Sequence, residues 1–258
     1  MKTALCLLAS LTFAAAESVT LSPSQDGDIY SYLDQPTTTI HTLNVSASGE
    51  GAPHSNRSLI QFDFSTLGIP ADQIGSAVLK LYTYPPDIGA TGFGNVSIRR
   101  QASAWSATTL RWNQIQPQEQ VSLLPVNAMN VWVEADVTSM VKQWKAGTVA
   151  NHGFVLMPES ETSPLNVTFL AMDLPNPAYT PRLVITRAEP APVLAIGVSS
   201  GQIVLEWPVA GSSGWTLQES ASLAGPWSAS TASTTSSGGR WKVQQVPGNR
   251  RFFRLFKP

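Results

Sequence analysis

Cysteine is nearly absent from this chain. The single cysteine among 258 residues is Cys6. It falls inside an apolar leader, so the chain beyond the leader has no disulfide, thiolate metal site or cysteine nucleophile. Charge is also scarce. Asp, Glu, Lys and Arg make up 13% of the residues, about half the usual share. The formal net charge is -1 and no basic patch stands out, which argues against a nucleic-acid partner. Beyond the leader there is no apolar run long enough to span a bilayer. Without disulfide staples such a chain must bury a sufficient core, and its length allows two ordinary domains.

The leader itself is informative. Lys2 gives a positive start, Ala4 to Phe13 is short and mostly apolar, and Ala14-Ala15-Ala16 offers small residues. This predicts an export signal over 1–16, cleaved after Ala16, and a secreted protein. The rest is rich in Ser, Thr, Gly, Pro and Trp, the composition of a turn-rich β-protein. Short alternating runs at 59–64, 77–82, 96–99, 153–157, 167–171 and 182–186 predict half-buried strands. Turn clusters such as Tyr84-Pro85-Pro86-Asp87 and Gly92-Phe93-Gly94-Asn95 separate them. Val137, Met140, Val141 and Trp144 recur at helical spacing, with Asp136 or Thr138 to start the helix and Gly147 to stop it.

Residues 188–192, Ala-Glu-Pro-Ala-Pro, predict a stiff linker. It would divide a first domain, 17–187, from a smaller one, 193–258. The smaller region has six alternating runs with turn signals between them, which suits an immunoglobulin- or fibronectin-type sandwich. Its stretch from Ser228 to Gly239 is low in complexity and is expected to be a mobile loop.

Seven segments of the first domain, in order, resemble one family. Asp28-Ile29-Tyr30 is similar to its Asp-x-Tyr strand. Arg57-Ser58-Leu59-Ile60-Gln61-Phe62-Asp63-Phe64 is similar to R-x-L-L-x-F-D-L, and Ile74 to Tyr82 to I-x-S-A-x-L-x-L-Y. Trp105-Ser106 with Leu110-Arg111-Trp112-Asn113 resembles W-S-E-x-T-V-x-W-N-N, although Ala107 replaces the acidic residue and Gln114 the second Asn. Asp136-Val137-Thr138 with Val141 and Trp144, then Asn151-His152-Gly153-Phe154, then Pro181 to Ile185, complete the series. Together they resemble the DNRLRE-type modules, also called carbohydrate-binding module family 96. The resemblance implies a jelly-roll β-sandwich and polysaccharide as the partner. The expected fold is therefore all-β: a jelly roll with one short helix, followed by the small sandwich. The smaller region is similar to domains that end many exported bacterial proteins, through L-x-W-P, W-T-L-Q-x-S, G-x-W and F-F-R-L-x-x-P.

Several chemistries compete for the first domain. A serine triad would need one of His41, His54 or His152, and no G-x-S-x-G elbow accompanies them. Glycoside hydrolysis would need two facing carboxylates, while most of those present read as turn or strand-end groups. A lyase could combine Arg57, Arg111, Tyr82 and His54, but their spacing does not demand it. No catalytic residue is assigned. For sugar binding, exposed rings stack on pyranose C–H faces and polar groups take the hydroxyls. Tyr84, Phe93 and Trp105 are the platform candidates, and Trp112 is one that also suits the core. Arg57 and Arg111 could pair with the carboxylates of a uronate-rich glycan. Trp144 is expected in the core. Gln25-Asp26-Gly27-Asp28, read as a tight turn and followed by Asp34, offers hard oxygen ligands to a structural calcium ion. A matrix protein that only adheres to other proteins is the alternative. Four N-x-S/T tripeptides, at Asn44, Asn56, Asn95 and Asn166, read as turn and strand asparagines.

Overall fold

The computed structural model describes residues 17–32, 41–48, 54–86, 92–248 and 250–258. The predicted leader and Asp34 lie outside these residues. The chain divides into two compact units, one reaching Ala188 and one running from Glu189 to Pro258.

The larger unit has eleven described strands. They are β1 (Ser18–Leu21), β2 (Pro23–Tyr30), β3 (Thr42–Ala47), β4 (Ser55–Phe62), β5 (Ile74–Tyr84), β6 (Gly94–Gln101), β7 (Pro117–Val126), β8 (Trp132–Asp136), β9 (Phe154–Pro158), β10 (Leu165–Leu170) and β11 (Arg182–Arg187). All their pairings are antiparallel, in the order β1-β11-β5-β10-β3-β4-β9-β6-β7, with β2 added on β4 and β8 on β5. Strand β5 is long because it serves two neighbours: its first part pairs with β8 and β11, and Thr83 and Tyr84 reach β10. The result is the expected all-β sandwich. Its core takes alternate residues from each strand, such as Leu79 and Leu81, Leu183 and Ile185, Val167 and Phe169, and Phe154 and Leu156. Each such side chain contributes roughly 1.5–3 kcal/mol by leaving water.

Helix α1 (Thr138–Lys145) closes one side of that core with Met140, Val141 and Trp144. Asp136 Oδ1 accepts from the Thr138 N–H at 2.8 Å, satisfying one donor of the first turn. At the other end Gly147 takes φ +71, and the Gly147 and Thr148 N–H groups return to the Trp144 and Gln143 carbonyls. Trp144 is a core ring, 4.6 Å from Phe154.

The smaller unit has β12 (Ala195–Ser199), β13 (Gln202–Pro208), β14 (Thr216–Ser220), β15 (Ser228–Ala229), β16 (Thr234–Ser237), β17 (Arg240–Gln245) and β18 (Phe252–Phe256). One sheet runs β12-β13-β17-β16, the other β15-β14-β18. Leu205, Trp207, Leu217 and Val243 fill the space between them. The stretch 228–239 is not the irregular loop its composition suggests. It holds β15 and β16, and β16 turns into β17 through Gly238-Gly239, both at positive φ. Paired glycines permit that two-residue hairpin turn.

Candidate functional site

Four neighbouring strands, β2, β4, β3 and β10, carry a continuous polar surface. Tyr30 pairs with Asn56, Asn56 with Ser46, and Ser46 with Asn166. One step along, Asp28 pairs with Ser58, and Asn44 with Thr168. Cross-strand partners share a face, so these side chains form adjacent rows. Tyr30, Asn44, Ser46, Asn56 and Asn166 of these rows line an open pocket of about 450 Å³ together with Tyr32 and His54, while Asp28, Ser58 and Thr168 lie buried behind them.

The floor is organised by one carboxyl group. Asp28 is only 1% exposed. Its Oδ2 accepts from Asn44 Nδ2 at 2.9 Å and from Asn56 Nδ2 at 3.2 Å. A buried acid needs such donors to offset its lost hydration. The same bonds orient both carboxamides, nitrogen towards Asp28 and oxygen away. Asn44 Oδ1 accepts from the Thr168 hydroxyl at 2.8 Å. Asn56 Oδ1 is buried and has no hydrogen-bond partner.

The rim is aromatic. Tyr32 is 56% exposed, and its ring lies 5.6 Å from that of Tyr30 and 5.0 Å, edge-on, from that of His54. Backbone contacts hold this corner: the Ser31 N–H donates to the Ser55 carbonyl, and the Ser55 N–H to Ser31 Oγ.

The residues singled out from sequence have separate fates. Tyr84 pairs with Thr168 and so continues the Asn44 row, and Phe93 follows Gly92, which bridges to Asn166. Both are exposed at this margin of the sheet. Trp105 is not a platform. It is 8% exposed, its Nε1 donates to the His152 carbonyl at 2.8 Å, and it packs with Ile29, Leu59, Leu110, Ile115 and Val155. Its motif position proved to be core because a second hydrophobic cluster lies behind β2 and β4. Trp112 is half-buried against that cluster, and the Arg57 guanidinium stacks 4.6 Å above its ring centroid. Arg57 also pairs with Glu161. Arg111 is exposed beside them. Since successive strand residues face opposite ways, Arg57 points away from the pocket that Asn56 and Ser58 face.

The Asp26-Gly27-Asp28 segment is not a turn. It is the middle of extended strand β2, so its two acids lie side by side on one face. Asp26 Oδ2 accepts the Met172 N–H at 2.7 Å. Burial pushes the Asp26 carboxyl up to about 7, the Met172 N–H acts against that, and the neighbouring charges of Asp173 and Asp28 add to it. N–H donors thus stand where a cation would bind. Among the described residues no group of three or more His, Cys, Asp or Glu side chains is arranged to hold a metal ion. The donor set at Asp26 and Asp28 does not fit calcium. Elsewhere, Asp173 Oδ2 lies 3.0 Å from His41 Nδ1 at the surface.

The sequence reading gives none of Tyr30, Tyr32, His54 or the floor asparagines a sugar-binding role: His54 enters only as a triad or lyase candidate, and Asn44, Asn56 and Asn166 only as turn and strand asparagines. A signal was there: Asn44-Val45-Ser46, Asn56-Arg57-Ser58 and Asn166-Val167-Thr168 each place two polar residues two apart, on one face of a strand. No helix among the described residues is long and apolar enough to cross a membrane. No curated protein matches the chain. The model of carbohydrate-binding module family 96 matches residues 17–187.

Proposed function

The chain belongs to carbohydrate-binding module family 96, and on that premise we propose that it is a secreted, non-catalytic polysaccharide-binding protein whose glycan site is the pocket beneath Tyr30, Tyr32 and His54. The observation that carries this is the pairing of an exposed aromatic rim with a hydrogen-bonding floor in one concavity. Stacked rings take the C–H faces of a pyranose and the floor takes its hydroxyls. Tyr84 and Phe93 extend the binding surface for a longer chain. The smaller unit serves as spacer or attachment.

A preference for uronate-rich glycans is a second reading. It draws on Arg111 and on Arg57 above Trp112, a cationic and aromatic surface on the other face of β4. The Arg57 charge is already met by Glu161, which weakens its claim on a ligand carboxylate.

The test is binding of the chain from Glu17 onwards to neutral and uronate-rich polysaccharides, with and without EDTA, while following product release. Saturable binding without products is expected, unchanged by EDTA. Released oligosaccharides would overturn the non-catalytic reading. Binding lost in EDTA would restore calcium. Absence of binding to every glycan would favour a matrix protein that adheres only to other proteins.

A further inference from the structure

We infer that the smaller unit carries a second glycan-binding surface, on the outer face of its β15-β14-β18 sheet, which takes the carboxylate groups of an acidic polysaccharide. The inference goes beyond the proposed pocket, and it rests on the polysaccharide-binding reading only for the class of polymer.

Charge is divided unevenly along the chain. Residues 17–188 hold nine Lys and Arg against fourteen Asp and Glu, a side-chain balance of -5. Residues 189–258 hold six Lys and Arg against three Glu, a balance of +3. The near-zero total hides a cationic unit, and such a unit attracts anionic partners. Its three carboxylates lie away from the proposed surface. Glu206, on the other sheet, pairs with Arg240 and Lys242. Glu219 shares the core side of β14 with Leu217 and pairs with Arg251. Glu189 lies against Gly211, between β13 and β14.

Strand β18 sets out the surface. Phe253 and Leu255 pack on the core with Leu217, so Phe252, Arg254 and Phe256 share the outer face. Arg254 reaches across β14 to Trp227. Its Cζ lies 4.3 Å from the centroid of that ring and 5.2 Å from that of Phe256, and its Nε donates to Gln218 Oε1 at 2.9 Å. Arg250 stacks in the same manner, 4.8 Å from the Phe252 centroid. Neither arginine has a carboxylate partner among the described residues.

Rings that hold the flat faces of a guanidinium fix its orientation before any ligand arrives. With Nε used by Gln218, the two terminal nitrogens of Arg254 remain, and they have no acceptor among the described residues. A planar carboxylate matches two parallel N–H bonds of this kind. Single-stranded nucleic acid would instead need open ring faces for its bases, and the Trp227 ring is half-buried beneath Arg254. A polysaccharide long enough to span this surface and the module at 17–187 gains from effective concentration, which a short acidic peptide does not.

The experiment is calorimetry and affinity electrophoresis of the chain from Glu17 onwards with alginate, polygalacturonate, a neutral mixed-linkage glucan and poly-glutamate, at low and high salt. Polyuronate affinity should fall about tenfold in Arg254→Gln and should weaken with salt. Arg250 is exposed, so Arg250→Gln keeps the test open if Arg254→Gln fails to fold; it should cost about threefold. Lys242→Gln removes the same charge from the other sheet and should change nothing. Equal losses in Lys242→Gln and Arg254→Gln would overturn the site in favour of net charge alone. Polyuronate binding that Tyr32→Ala abolishes and the arginine variants leave intact would overturn the second surface and keep the pocket. Poly-glutamate bound as tightly as polyuronate, through the same arginines, would overturn the glycan as ligand. Neutral glucan bound without polyuronate would overturn this inference alone, and no binding to any polymer would overturn the polysaccharide-binding reading with it.

Discussion

Strand β4 presents two unlike faces. Towards the pocket stand Asn56 and Ser58, held by Asp28 and by the Asn44 backbone carbonyl. On the other side stand Arg57 and Leu59, next to Trp112 and the cluster around Trp105. Aromatic residues occur at both, yet they do different work. The rings of Trp105 and Trp112 are spent on packing and on a cation stack. Tyr32, with an exposed ring above a polar floor, is available to a ligand. A tryptophan count points to the face of β4 where the rings are already engaged, whereas the state of each ring's neighbours points to the pocket.

This contrast can be broken most sharply at Trp105. Trp105→Ala should lower the unfolding free energy by about 3–5 kcal/mol, through lost burial and the cavity left behind. Chemical denaturation would measure it. The surviving folded protein should keep its glycan affinity, and a stable Trp105→Ala protein that no longer binds would return Trp105 to the ligand surface.

Next in size is the pH response of the pocket-side strand. A free Asp titrates near 3.8, whereas Asp26 in the fold is pushed up to about 7 by burial. Between those values the unfolded chain has lost its proton and the folded chain keeps it. Folding therefore takes up a proton, and stability falls as pH rises through the window. Asp26→Asn retains an acceptor for the Met172 N–H and removes this dependence. Above pH 7 it should be the more stable protein by about 1–2 kcal/mol, with a Tm nearly flat from pH 4 to 8. A wild-type Tm that rises over that range would contradict the burial assigned to Asp26.

The smallest effect belongs to the opposite face. Arg57→Gln removes an ion pair with the half-exposed Glu161 and a cation–π stack, together worth about 1 kcal/mol. Thermal melts at low and high salt should show a small destabilisation that shrinks with salt. A loss of several kcal/mol would mean that the Arg57 surface is as structural as the Trp105 cluster.

Much of the fold could be read in the chain. Alternation announced β5 and β11, in which buried residues alternate with more exposed ones, and the apolar runs at 96–99, 153–157 and 167–171 announced β6, β9 and β10, where burial extends to neighbouring residues. Helical spacing with Gly147 announced α1. Strand β2 was hidden because Gln25-Asp26-Gly27-Asp28 has turn composition. Its acids are extended because Asp28 is buried against Asn44 and Asn56 and Asp26 accepts from Met172, partners distant in sequence. Strand β16 was hidden by a Ser/Thr-rich composition, although Gly238-Gly239 before Arg240 is a hairpin signal in its own right. The candidate site was least legible. Its rim comes from the end of β2 and just beyond it (Tyr30, Tyr32) and from His54 just before β4, far apart in sequence, and its floor from strands whose register no local pattern reveals.

The asparagines of that floor have a consequence for how the protein is produced. Asn44, Asn56 and Asn166 each begin an N-x-S/T tripeptide. A eukaryotic secretory pathway attaches oligosaccharide to such sites. Asn56 is wholly enclosed in the fold and Asn44 nearly so, and neither position has room for a covalent glycan. A yeast or insect-cell host would therefore decorate chains that cannot close their sheet, while a bacterial host leaves the same asparagines bare and free to meet Asp28.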